Sequence, residues 1–268
     1  MLGQPFEFQG KAIVGQGVGR RKILAGAAAG LATPFLSAPL TAQITPRSFA
    51  GRNTIDRGEA ATILHVRTAE PVLAITFDDG PHPYHTPHLL DILAERGIRA
   101  TFFVIGRNAV RYPLILQRML AEGHEIGNHS WSHPDLHGHS DASVLSQIDR
   151  TNQAVVDAVG RPPVLMRPPY GNLYNRHRML LFETRGMPTV LWSVDPLDWQ
   201  HPGSAVVTQR IVGRCHRGAV ILAHDIHRST VRAMPATLSG IGERGYRFVT
   251  MSELIGWPRW DRRRLRLI

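Results

Sequence analysis

The sequence predicts an α/β fold built on parallel strands: a TIM-barrel-like (β/α) barrel with its site at one rim. Three observations predict it. From residue 71 onward, short apolar runs alternate with helix-length segments, and that alternation implies parallel strands covered by helices. Several helical segments end at a glycine (Gly97, Gly123, Gly160, Gly186 and Gly245), the left-handed stop that commonly precedes a strand. Ionisable residues gather just after the apolar runs, at the end where barrels carry their sites. A doubly wound open sheet satisfies the first two observations equally, and periodicity does not separate the two.

In chain order, residues 1–42 read as an export signal. Gly19-Arg20-Arg21-Lys22 is a twin-arginine pair leading into the uncharged stretch 25–40, and cleavage after Ala42 fits the pattern. A membrane anchor is the competing reading of that stretch, although its Gly, Ala, Pro and Ser content makes it weakly hydrophobic. The expectation is an exported protein, in periplasm, envelope or medium. Residues 43–70 are Pro/Gly-punctuated and read as a leader, 71–256 as the folded domain and 257–268 as a basic tail. Within the domain, the expected strands are 72–77, 100–105, 125–127, 164–166, 189–194, 219–223 and 247–250. The expected helices are 87–96, 109–122, 142–159, 176–185, 204–215 and 231–244. The first strand is the most telling, being apolar but for Thr76, as suits a strand buried on both faces. It runs straight into Asp78-Asp79-Gly80-Pro81.

Composition narrows the chemistry. The chain has 268 residues and a formal net charge of +10, with 31 Lys+Arg against 21 Asp+Glu. Part of the excess sits at the ends, in Arg20-Arg21-Lys22 and in 259–266. Such ends suit an anionic cell-wall or lipid surface, and no nucleic-acid motif accompanies them, so no nucleic-acid partner is expected. The single cysteine, Cys215, excludes an intrachain disulfide and a cysteine-based zinc site. Fourteen histidines against that one cysteine direct any metal chemistry to imidazole and carboxylate.

The strand ends carry the candidate chemistry. Two like charges at the end of a buried strand cost desolvation and repulsion, unless they serve as a turn or a site. The third strand empties into His129-Ser130-Trp131-Ser132-His133. If this turn is helical, the four-residue spacing puts both imidazoles on one face. The pair then suits one divalent metal, with a carboxylate as third ligand and open positions for water. His82, His85, His88, His137 and His139 are read as surface histidines. Arg167, leaving the fourth strand before Pro168-Pro169, is held rigidly enough to orient a carboxylate by a forked hydrogen bond. The fifth strand ends in Asp195-Pro196-Leu197-Asp198-Trp199 and the sixth in Leu222-Ala223-His224-Asp225. No Gly-rich phosphate loop, Gly-x-Ser-x-Gly elbow or His-Glu-x-x-His motif competes with this set.

Taken together, five segments resemble the motifs of the polysaccharide deacetylase family, the NodB homology domain. They are Thr76-Phe77-Asp78-Asp79-Gly80, His129-Ser130-Trp131-Ser132-His133, Arg167-Pro168-Pro169-Tyr170-Gly171, Asp195-Pro196-Leu197-Asp198-Trp199 and Leu222-Ala223-His224-Asp225. The resemblance covers about 71–253. It implies a distorted seven-stranded (β/α) barrel that removes acetyl groups from N-acetylglucosamine units of chitin oligomers, peptidoglycan or a related polymer. By the same resemblance Asp79, His129 and His133 would hold one divalent metal, usually zinc, with cobalt or another divalent ion as alternatives. Asp78 would be the general base, oriented by Arg167, and His224 the general acid, tuned by Asp198. The Tyr170 backbone N–H would help hold the oxyanion, and Trp199 and Leu222 would wall the acetyl pocket. The alternatives weighed against this are hydrolysis of a small cyclic amide or imide on the same barrel, and a non-catalytic glycan-binding module.

Overall fold

A computed structural model of the chain describes residues 61–256, and the expected export signal and basic tail lie outside them. β2 (Val72–Asp78) is buried at all seven positions and is the hub of the sheet. The ladder order is β4 (Glu125–Asn128), β3 (Thr101–Val104), β2, β6 (Val220–His224), every pair parallel. β7 (Arg247–Phe248) pairs with the first two residues of β2. Parallel bridges Asn128–Met166, Met166–Thr189 and Val194–Ile221 continue the sequence of neighbours from β4 round to β6. The strands therefore curl into a distorted barrel rather than an open sheet.

The distortion has a local cause. The expected fourth strand, 164–166, contributes a bridge at Met166 instead of a ladder. The fifth narrows to β5 (Thr189–Val190) plus the bridge at Val194. The gap between β5 and β6 is filled by an unforeseen strand, β1 (Thr62–Ile63), which lies within the stretch read as leader. Ala61 and Ile63 carbonyls accept from the N–H groups of Thr189 and Leu191 at 2.9 and 2.8 Å, and Val66 N–H donates to Gly218 at 2.9 Å.

The helices are α1 (His85–Ala94), α2 (Gly106–Arg111), α3 (Pro113–Ala121), α4 (Asp141–Val159), α5 (Asn175–Arg185), α6 (Ser204–Arg214), α7 (Arg228–Glu243) and α8 (Met251–Leu254). One helix was expected over 109–122; the structure has two, α2 and α3. The break falls at Tyr112, whose backbone leaves the helical region immediately before Pro113, as a residue preceding proline tends to do. α4 matches its sequence signals well: the Ser140 side chain caps its start and Gly160, at φ 71°, ends it.

Strand alternation sorts the core into two sides. Leu73, Ile75 and Phe77 join the helix-facing cluster, whereas Val72 and Ala74 join Phe103 and Val220 in the barrel interior. Thr76 and Asp78 continue that inward row. Below them the Arg167 guanidinium lies 4.2 Å from the centre of the Phe103 ring. The space for that ring comes from Gly127, where a Cβ would stand 2.5 Å from the Phe103 edge.

Candidate active site

Parallel pairing of β2 with β6 sets Asp78 beside His224, because both are the last residues of their strands. Asp79 follows at φ 75°, a left-handed residue that turns the chain off the strand. The next residue, Gly80, packs so closely on Asp225 that a Cβ would stand 2.3 Å from its carboxylate. Past the end of β4, His129 and His133 converge on the same point. Their convergence does not come from a helix. Ser130 and His133 have φ values of 66° and 61°, so a tight non-helical turn brings the two rings to a 4.9 Å centroid separation.

The Nε2 atoms of His129 and His133 stand 3.3 and 3.2 Å from Asp79 Oδ1. That oxygen is buried and makes no well-formed hydrogen bond. One donor atom from each of the three residues lies within 4.8 Å of the others, the one such group among the described residues. The His129 Nδ1 lies 2.7 Å from the Arg167 carbonyl, so Nδ1 carries the proton and Nε2 keeps its lone pair for a cation. The residues fit a divalent metal.

Electrostatics agree with that division. Burial opposes ionisation of Asp79, but His129, His224 and His133 hold its carboxyl below the ordinary carboxylate range. Burial likewise opposes charge on His129, where the nearby Asp78 and Asp79 outweigh it and raise its affinity for a proton. At His133 burial and the neighbouring His129 prevail, and the shift is downward.

Asp78 has a different set of partners. Its Oδ1 accepts from Arg167 Nη1 at 2.7 Å, and both side chains are buried. The contact is not the forked bond expected from the sequence. Nη1 is shared with Thr76 Oγ1 at 2.7 Å, and Nε and Nη2 are tied to the carbonyls of Val190 and Leu191. The guanidinium is thus clamped by the barrel wall and offers one corner to Asp78.

On the opposite strand, His224 Nδ1 donates to Asp198 Oδ1 at 2.7 Å. Asp198 is fully buried, and its Oδ2 accepts from His224 N–H at 2.8 Å and Thr230 Oγ1 at 2.7 Å. Burial works against a charged imidazole, but Asp198 first, then Asp78 and Asp79, hold His224 up to about 9. Nδ1 faces Asp198, which leaves Nε2 free of that contact.

The remaining expected residues separate. Leu222 is buried in the inward row of β6 and belongs to no helix-facing cluster. Trp199 and Tyr170 are exposed at the rim, at 52% and 68%. Tyr170 sits in a short turn at φ 58°, its ring 4.8 Å from that of His133. Of the histidines set aside, His82 accepts from the backbone of Tyr84 and His85, and His139 pairs with Ser143.

Three contributors were missed. Thr76 fixes Arg167, Thr230 fixes Asp198, and Asp225 carries a buried carboxyl that takes a hydrogen bond from Thr86 and that burial pushes up to about 7. Two of them carried an advance signal: Thr76, a hydroxyl at an inward position of an otherwise apolar strand, and Asp225, an acid closing the sixth strand's segment.

Fold and site together define a distorted (β/α) barrel with a candidate divalent-metal centre flanked by two clamped titratable side chains, Asp78 and His224. Comparison with known proteins identifies the family. The model for polysaccharide deacetylases matches residues 65–189. A peptidoglycan-N-acetylglucosamine deacetylase of Listeria monocytogenes is 41% identical over 184 residues, which are 69% of this chain and 39% of that protein. A chitooligosaccharide deacetylase of Sinorhizobium fredii is 35% identical over 199 residues, 69% of this chain and 92% of that one. The crystal structure of the Bc1960 peptidoglycan N-acetylglucosamine deacetylase superposes with a TM-score of 0.72 at 32% identity, covering 75% of this chain and 95% of the other. The chain belongs to the polysaccharide deacetylase family. It spans about two-fifths of the length of the Listeria relative.

Proposed function

We propose that this protein hydrolyses the N-acetyl amide of N-acetylglucosamine units in a peptidoglycan or chitooligosaccharide chain, releasing acetate. The observation that carries the reading is the opposition of two clamped groups, Asp78 and His224, across one strand pair beside the Asp79-His129-His133 donor set. Asp79, His129 and His133 would hold a divalent ion, with zinc the ion best suited to two imidazoles and one carboxylate. Such an ion would polarise the amide carbonyl and lower the pKa of water toward about 7.

The chain's own residues divide the remaining work. Asp78, fixed by Arg167, takes the proton from the attacking water as the carbon–oxygen bond forms. His224 Nε2 gives its proton to the nitrogen as the carbon–nitrogen bond breaks, and Asp198 stabilises the imidazolium beforehand. The Tyr170 N–H donates to no protein atom among the described residues, which supports its use toward the developing oxyanion. Leu222 walls the acetyl methyl, and the exposed Trp199 offers a ring face to sugar.

The twin-arginine pattern supports export, where such polymers lie, and the basic tail would hold the protein against anionic wall or lipid. Fractionation of cells expressing the full chain tests export: retention in the cytoplasm would count against it. For the activity, acetate is measured from N-acetylglucosamine oligomers and from peptidoglycan. Chelation should abolish release and zinc restore it; no release from either polymer would overturn the reading.

A further inference from the structure

Beside His224 lies a cleft of about 520 Å³, lined by His201, Gly203, Ser204, His227, Arg228 and Arg232. The His227 ring connects it to the site, 5.7 Å from the His224 ring on one side and 4.6 Å from His201 on the other. No carboxylate lines the cleft. Arg228 and Arg232 are exposed and form no ion pair among the described residues, whereas Arg118, Arg176 and Arg185 each pair with an aspartate. The two are four residues apart on α7 and so share one face, an arrangement in which like charges repel.

The backbone adds to the same sign. α6 and α7 both begin at this cleft, with Ser204 and Arg228 as their first residues, and helix starts favour negative charge. Glu243, at the far end of α7, is the one acid on either helix. Toward the site, Asp198 is fully engaged with His224 and Thr230, and the buried Asp225, beside the lining residue Ile226, takes a hydrogen bond from Thr86. A concave, positively charged surface beside His224 with no carboxylate in its lining favours an anionic group, and a polymer bound at the site would be placed to bring one.

We propose that this cleft is a subsite for carboxylate groups carried by the glycan, so that the protein prefers a peptide-bearing acidic glycan to a neutral chitin oligomer. The inference rests on the deacetylase reading and narrows its substrate class. Arginine suits the role, because its planar fork matches a carboxylate.

The test compares three substrates on the zinc-loaded protein: a peptidoglycan fragment with its peptide carboxylates free, the same fragment with them amidated, and neutral chitotetraose. The expected kcat/KM preference for the free-carboxylate fragment over the amidated one is roughly tenfold, the size of one or two charge-assisted contacts. In the Arg228→Ala/Arg232→Ala protein that ratio should fall to within about twofold, and it should shrink in the wild type at high salt. Unfolding midpoints of both proteins check that the variant is folded. Equal rates on free and amidated fragments, or a preference that survives the double substitution, would overturn the subsite. A binding arm works without turnover: calorimetry with the already deacetylated fragment, free against amidated, should show the same ratio in Kd. Acetate release with no carboxylate preference defeats the subsite alone. A carboxylate preference in binding with no acetate release from any substrate defeats the deacetylase reading alone.

Discussion

Replacing Asp198 by asparagine isolates what the buried carboxylate does for His224. The substitution keeps size and a hydrogen-bond acceptor but removes the charge. In the structure Asp198 stands 2.7 Å from Nδ1 and is the leading reason His224 holds its proton up to about 9 rather than near 6.5, the ordinary value for histidine. That difference corresponds to roughly 3 kcal/mol in favour of imidazolium. The sign follows directly. A raised value means the acid form persists into the alkaline range, and activity that needs the acid is lost as pH rises through the folded-state value. A cation on Asp79 opposes the smaller contribution of that residue, so the limb of the loaded enzyme should lie at or somewhat below 9.

In Asp198→Asn the alkaline limb should move toward acid by at least about one pH unit, and kcat at pH 8 should fall about 10²-fold, within the range for one proton-transfer residue. The same proton contributes to folding, fully below about 6.5 and progressively less as pH rises through 9. The variant should therefore lose less stability than wild type across that window. Acetate release between pH 5 and 10, paired with thermal unfolding at each pH, reads both effects. An alkaline limb that stays where it was in the wild type would refute the assignment of His224 as the acid tuned by Asp198.

Other expectations follow from the same geometry. Asp78→Asn should lower kcat by about 10²–10⁴-fold while metal content, measured by elemental analysis, stays at the wild-type level; full activity would remove Asp78 as the base. Chelation should lower the unfolding midpoint as well as activity, since a ligand bound to the folded state alone adds stability, and zinc should restore both. Arg167→Met strands the Asp78 charge in a buried place and should cost about 3–5 kcal/mol in denaturant unfolding. Gly127→Ala drives a Cβ into the Phe103 ring, 2.5 Å away by construction, and should destabilise the fold by about 1–3 kcal/mol.

Much of this site was readable because its residues terminate apolar runs. Asp78, Asp198 and His224 each stand where a buried segment gives way to charge, and such placement has no packing reason. Residues whose role depends on distant partners were not readable. Thr76 is a normal strand residue until Arg167, 91 positions away, is seen to bind it. Thr230 looks like part of a helix start until Asp198 meets it. His129 and His133 were correctly paired by spacing, but the helical condition attached to that spacing is not met, because two non-glycine residues take left-handed backbone conformations that no composition signals. β1 escaped notice for a different reason. A two-residue strand has no periodicity, and its partner, β5, lies more than 120 residues further along.

The layer beneath the site has a consequence for how a polymer can be handled. Arg167, Phe103 and the inward residues of β2 and β6 fill the barrel, so the site has a packed floor and no tunnel runs beneath it. On the deacetylase reading, acetate would leave by the mouth that admits the sugar rather than through the far end. On the same reading, a long glycan would lie across the opening with one acetamido arm dipped inside rather than thread through. Such hydrolysis would need no free chain end, and sugars in the middle of a strand would be as reachable as those at its tips.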